Sequence, residues 1–144
     1  MAIEFRQIEV GSDLHTSEQA LRDEVLRKPL GRALSASEIE RDREGRHFVA
    51  VLDGEVVGCV GLYPQGEGVV RLRQMAVAPR LQGQRIGSRL LQYAEEWARR
   101  NRIATIELHA RVTALAFYER NGYIPEGDEF IEVTVPHRRM RKRL

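Results

Sequence analysis

The sequence predicts a single-domain α/β fold of the α+β kind: a mixed, mostly antiparallel seven-stranded sheet with about four helices, one domain over residues 1–144. Three observations carry this. Asp53-Gly54 joins two β-rich runs, His47 to Leu52 and Glu55 to Tyr63, the strongest short-range hairpin signal. The stretch from Val69 to Arg100 reads as strand, glycine-bearing turn and helix, and the alternating run Thr105 to Ala110 follows it. Strand, helix and strand in series make a right-handed crossover between parallel neighbours.

In chain order, Ala2 to Val10 reads as an opening strand. Ser17 is the expected cap of a first helix with Leu14, Leu21 and Val25 inward, ended before Pro29. Ser35-Ala36-Ser37-Glu38 has capping-box spacing, which predicts a second short helix toward Gly45. Both helices carry few apolar residues and suit a cover over one end of the sheet. The hairpin comes next, and Gln65 to Gly68 turns the chain into the central strand, Val69 to Ala78. The third helix places Ile86, Leu90, Leu91, Ala94, Trp97 and Ala98 on one side, with Glu95/Arg99 and Glu96/Arg100 as expected i,i+4 pairs. After Thr105 to Ala110, Thr113 is the expected cap of a fourth helix stopping at Asn121-Gly122. Phe130 to Val135 and Arg138 to Leu144 read as the last two strands, separated by Pro136.

The central strand changes phase: Val70 and Leu72 share one face, Met75 and Val77 the other. One extra residue near Arg73 or Gln74, a β-bulge, accounts for this and leaves backbone N–H groups unpaired. Pro79 ends the strand. In the turn from Gln82 to Ser88 the glycines permit positive φ and close approach of another molecule. The helix N-terminus behind it, with Arg85 alongside, suits a phosphate or pyrophosphate. The same glycines would also serve a bare strand-to-helix turn.

Composition excludes several classes. Lysine and arginine total 23 against 21 acidic residues, so net charge selects no partner. The arginines near the C-terminus alternate with Met140 and Leu144 as a solvated strand face would, with no aromatic platform for nucleic acid. Cys59 is the one cysteine, which rules out a disulfide or cysteine-rich metal framework and fits a reducing, cytoplasmic location. No apolar run is long enough to span a membrane, and the first ten residues lack a signal-peptide core.

The run from Met75 to Leu91, with Gln82 first and Gly87 last in a Gln/Arg-x-x-Gly-x-Gly/Ala turn, resembles the acyl-CoA-binding motif of the GCN5-related N-acetyltransferases. Arg85 stands where that pattern has its middle glycine. Ala114 to Tyr123 resembles the family's second motif, Ala-x-x-Phe-Tyr-x-x-x-Gly-Tyr/Phe, and Arg111 stands where the family often has Asn. His109-Ala110-Arg111 together with Glu132 to His137 resembles the ElaA-like group. The resemblance implies acetyl-CoA as acyl donor, held by Met75, Ala76 and Val77 along the strand, by Gln82, Gly83, Gln84, Arg85, Ile86, Gly87 and Ser88 at the turn, and by Arg111, Ala114 and Phe117. It implies Tyr118 as the proton donor to the departing sulfur, and it puts Glu132 and His137 first as bases, with Glu107 and His109 as further candidates. Arg22 and Arg111 are candidates to orient an anionic part of a substrate. Small-molecule and peptide amines both stand as acceptors, and edge-strand pairing into a homodimer is implied as well. Cys59, flanked by apolar residues and with no evident base, is a poor nucleophile, so direct attack in a ternary complex is expected. The competing reading is a non-catalytic acyl-CoA-binding regulatory module.

Overall fold

A computed structural model describes residues 2–144. Strands β1 (Glu4–Ile8), β2 (Arg46–Leu52), β3 (Glu55–Gly66) and β4 (Val69–Val77) pair antiparallel in sequence order. Strand β5 (Thr105–Arg111) joins β4 in parallel, and β7 (Val135–Arg143) lies between β5 and the edge strand β6 (Ile124–Glu132). The seven strands are therefore ordered β1-β2-β3-β4-β5-β7-β6.

Helix α3 (Ile86–Arg100) makes the crossover from β4 to β5, as the pattern predicts. It buries Leu90, Leu91, Ala94 and Ala98 against Phe48, Leu62, Leu72, Ile106 and Met140 of the sheet. Full burial of each leucine is worth about 1.5–3 kcal/mol. A second apolar cluster, with Leu21, Val49, Val57, Cys59 and Ile86 among its members, continues the core. Among the described residues no helix is long and apolar enough to cross a membrane.

The helices α1 (Asp13–Arg22) and α2 (Ala36–Arg41) depart from expectation in an instructive way. Ser35 and Glu38 form the capping box. Helix α1, however, starts one turn early on a Ser12 cap, and Ser17 lies inside it with its Oγ accepting from the Val56 amide at 3.0 Å. What fills the space under the helix is charge: His15, Glu18 and Arg22 are buried against Asp42 and His47. A π turn over Asp23–Arg27 follows directly on α1.

Three further expectations are corrected. Glu95 does not pair with Arg99 but turns inward, accepting from Tyr123 Oη at 2.8 Å and Lys142 Nζ at 3.0 Å, while Glu96 takes both Arg99 and Arg100. Thr113 caps nothing, because a short 3₁₀ turn over Val112–Ala114 leads directly into α4 (Leu115–Arg120). Strand β6 starts at Ile124 rather than Phe130, and Pro136 lies inside β7 instead of separating two strands. Proline is tolerated there because β7's pairing with β5 begins only at His137, so no ladder donor is missed on that side. The β6–β7 turn is the two-residue Val133-Thr134, both at positive φ (50° and 61°), the conformation that closes tight hairpins and that β-branched residues adopt rarely.

Candidate active site

The phase change in β4 is a bulge, and Gln74 sits on it at φ 60°. Two contacts hold this conformation. The Gln74 carbonyl accepts from the Cys59 thiol at 3.1 Å, and its side-chain amide donates to Tyr63 Oη at 2.9 Å. Gly61 makes room: a Cβ there would lie 2.9 Å from Gln74 Oε1 and 3.0 Å from the Tyr63 ring. Tyr63 in turn reaches Asp42 Oδ1 at 3.3 Å. Asp42 also accepts from Arg22 Nη1 at 2.7 Å and from His15 Nε2 at 2.8 Å. Because His15 Nδ1 already accepts from the Gly11 amide, its ring proton is assigned to Nε2. Burial by itself would raise the Asp42 carboxyl, yet the hydrogen bonds from Arg22 and His15 outweigh it and hold Asp42 below the ordinary range.

Beyond the bulge, β4 and β5 part. Their pairing stops at Leu72 and Leu108, although β4 continues to Val77 and β5 to Arg111. Ala78 donates to Val57 on β3, and by alternation the Ala76 amide also faces β3, whereas Met75 and Val77 turn their amides toward the gap. Of the three strand residues expected to line a ligand, two are therefore oriented to pair with one.

At the far end of that gap, Gly83 (φ 82°) and Arg85 (φ 64°) are both left-handed. Arg85 is the residue immediately before α3, so its side chain does not prevent the turn. Among the described residues, the backbone amides of Gly83, Gln84, Arg85, Ile86, Gly87 and Ser88 have no partner, and the first bond of the helix runs from Arg89 to Arg85. A Cβ on Gly83 would meet nothing within 4 Å, which leaves open space over these donors. Gln82 folds back, its Nε2 donating to the Val77 carbonyl at 3.2 Å. Gly87 serves packing instead: its Cβ would stand 3.2 Å from the Phe117 ring and 3.4 Å from Val77 Cγ2. Consecutive free amides at a helix N-terminus are a fit for a pyrophosphate.

The other end of the gap opens into a cavity of about 390 Å³. Tyr118 lines it; the residue is buried, its ring packs on Phe117 and Tyr123, and its hydroxyl makes no hydrogen bond to the described residues. Burial pushes the phenol up, well clear of neutral pH, so it stays protonated. Ala114 and Arg111 line the same cavity, and Arg111 donates to the Leu26 carbonyl at 3.2 Å.

The same cavity is lined by two histidines around one carboxylate. His109 Nδ1 lies 3.0 Å from Glu132 Oε1, and His137 Nε2 lies 3.6 Å from Glu132 Oε2. His137 Nδ1 meets the Val135 carbonyl at 2.7 Å, which assigns its proton to that nitrogen. The Phe130 ring wedges between the imidazoles, edge-on to His109 at 5.0 Å and stacked on His137 at 6.0 Å. Glu107, which shares a strand face with His109, is elsewhere: Arg71 at 3.2 Å and Arg139 at 2.8 Å clamp it. Their hydrogen bonds overcome burial and hold its carboxyl below the ordinary range, which makes it a poor base. Cys59 is fully buried with its thiol pushed up by desolvation, a poor nucleophile as expected.

A parallel pair splayed beyond a bulge, with free amides at one end and a proton-bearing cavity at the other, defines a protein that holds an extended phosphate-bearing ligand across a sheet. The acetyltransferase (GNAT) family model matches residues 11–123, and the chain belongs to that family. Membership makes it an acetyl-CoA-dependent N-acetyltransferase, with an amine as acceptor. The chain is 36% identical over 90 residues to aminoalkylphosphonate N-acetyltransferase of Salmonella typhimurium, a match that spans 57% of this chain and 58% of that relative's length. A Lactobacillus plantarum protein, solved under the provisional description of N-acetyltransferase, superposes with TM-score 0.85 at 26% identity and covers 100% of this chain and 99% of its own. Escherichia coli ElaA has the same fold, with TM-score 0.83 at 20% identity over 98% of this chain and 99% of its own.

Proposed function

We propose that this chain acetylates a primary amine by direct attack on acetyl-CoA in a ternary complex, in the cavity bounded by Tyr118, His109 and Glu132. The observation that carries the reading is a series of donors free for a ligand among the described residues: the six amides from Gly83 to Ser88, the Met75 and Val77 amides turned toward the β4–β5 gap, and the Tyr118 hydroxyl in the cavity. Acetyl-CoA supplies the acetyl group as a thioester. The amides from Gly83 to Ser88 receive its pyrophosphate, with charge-assisted hydrogen bonds about twice as strong as neutral ones. Met75 and Val77 pair with the pantetheine arm, and one of their N–H groups is available to a carbonyl oxygen as negative charge develops on it.

The protein must move two protons. Glu132 holds the His109 Nδ1 proton and leaves Nε2 as the acceptor for the proton that the amine gives up. Tyr118 donates to the sulfur as the carbon–sulfur bond breaks and the carbon–nitrogen bond forms. This makes His109, which sequence reading places behind Glu132 and His137, the direct base, with Glu132 positioning it and His137 flanking the carboxylate. A small-molecule acceptor suits the size of the cavity, and a cytoplasmic location suits the single buried thiol.

The test is acetyl-CoA-dependent thiol release over a panel of amino acids, polyamines, aminoglycosides and peptides. Sustained release with one class is expected. None above the hydrolysis background, in protein shown to bind acetyl-CoA, would overturn the reading in favour of a binding module.

A further inference from the structure

The cavity beside Tyr118 is lined by Arg22, Arg27, Arg41, Arg71, Arg73 and Arg111, against only Glu38 and Glu132 as carboxylates. The pairings are unequal. Arg27 bonds Glu38 at 3.2 Å and Arg71 bonds Glu107 at 3.2 Å. Glu132 is engaged by His109. Arg73 has no carboxylate partner among the described residues and lies over the Tyr63 ring at 5.7 Å. Arg111 has only a backbone carbonyl. Arg22 is 1% exposed, and although its Nη1 serves Glu18 and Asp42, its Nη2 is buried with no partner. A buried guanidinium N–H without a partner is costly, and Arg22 is among the residues that line the cavity.

Desolvation, followed by repulsion from Arg41 and Arg71, lowers the Arg73 pKa; desolvation followed by repulsion from Arg27 does the same at Arg111. The arginines thus raise each other's cost of being charged, which an anion would relieve. Acetyl-CoA's phosphates are not that anion on the reading above, since none of the residues from Gln82 to Ser88 lines this cavity.

We propose that the acceptor is an amine carrying an oxyanion, phosphonate or carboxylate, and that Arg22, Arg73 and Arg111 seat the oxyanion while His109 and Tyr118 face the amine. The proposal rests on the acetyltransferase reading only for the role of the amine; the anion seat stands apart from it. Arg73 and Arg111 supply forked donors to two oxygens each, and Arg22, held by Glu18 and Asp42, adds fixed positive charge behind them.

Two measurements test it. Thiol release is compared for 2-aminoethylphosphonate, β-alanine and the neutral 3-aminopropanol. The anionic amines should exceed the neutral one at least about tenfold in kcat/KM, since each lost charged hydrogen bond costs about that much. Arg73→Gln should remove the advantage through KM while leaving the acetyl-CoA Kd unchanged, and Arg111→Gln should also remove the advantage. Equal rates for neutral and anionic amines, or a loss in Arg73→Gln that strikes all three alike, would overturn the seat. The second measurement is calorimetric titration of ethylphosphonate and of propionate, which have the oxyanion but no amine, into CoA-saturated protein. Saturable binding that is lost in Arg73→Gln upholds the seat even where no amine releases thiol, an outcome that would sink only the transfer reading. Absence of binding by either anion overturns the seat even where transfer proceeds, and the stronger of the two names the oxyanion.

Discussion

The turn before α3 and the cavity beside Tyr118 are built from different materials. The turn from Gln82 to Ser88 offers backbone amides, so its identity requirements are loose: Arg85 stands in a left-handed position that glycine usually takes, and the donors are still in place. The cavity beside Tyr118 offers side chains, assembled from α1, the bulge, β5, α4 and the β6–β7 turn. On the proposed reading the cofactor's phosphates are left to the main chain, whereas selection of an acceptor falls to side chains whose placement depends on distant contacts.

Breaking the backbone end should have the largest effect. Gly87→Trp drives its side chain into Phe117 and displaces the first turn of α3. Loss of two charge-assisted bonds at roughly 1.5–3 kcal/mol each predicts about a hundredfold or greater loss of acetyl-CoA affinity by calorimetry, in protein whose circular dichroism is unchanged. Unaltered affinity would remove the turn from the cofactor site.

The side-chain end is instead vulnerable through its support. Asp42→Asn leaves Arg22 buried beside a weakened partner and should cost about 3–5 kcal/mol in urea unfolding at pH 7. Because the folded Asp42 carboxyl titrates below its unfolded value, its stabilisation is complete above the unfolded pKa of about 3.9 and is lost as pH falls through the folded one. The gap between wild type and variant should therefore narrow only in acid below that value; a gap constant down to the folded pKa and beyond would contradict the role given to the ionised carboxylate.

Within the cavity, Tyr118→Phe should lower kcat by about a hundredfold with acetyl-CoA Kd unchanged, and wild-type turnover would remove it as the acid. His109→Ala should lower kcat/KM by about a hundredfold, Glu132→Gln by about tenfold, with the acid limb of the pH–rate profile displaced in both. A flat response in His109→Ala together with a displaced limb in His137→Ala would exchange the two histidines' roles. At the small end, Cys59→Ala should keep kcat within about twofold, as no covalent step is assigned to it.

Sequence-based reading reached the backbone end almost entirely. The phase change between Leu72 and Met75 announced the bulge, and Gly83 with Gly87 marked the turn, because both are local features of pleat and torsion. It named Tyr118 from a motif, and found Glu132, His137 and His109 as separate candidates. What it missed was their joining: His109 on β5 and Glu132 at the end of β6 are 23 residues apart and meet only because β7 aligns Arg111 with His137 while a two-residue turn brings Glu132 opposite Val135. Arg73 enters the sequence reading only as a place for the bulge, since an arginine on a half-buried strand has no binding signature until the rest of the cavity is known. Likewise, the shortage of apolar residues in α1 was visible, but not that Glu18 and Arg22 would be buried together against Asp42, 20 residues beyond Arg22.

The sequence by itself determined the β2–β3–β4 meander, the parallel crossover to β5, the bulge and the glycine turn before α3, since hydrophobic period, glycine placement and capping act within a few residues of chain. Only the tertiary structure decided which charges are neutralised and which are left facing the cavity. Ion pairing depends on separations of a few ångströms between residues far apart in sequence, and Coulomb energy together with desolvation is set by that geometry rather than by composition.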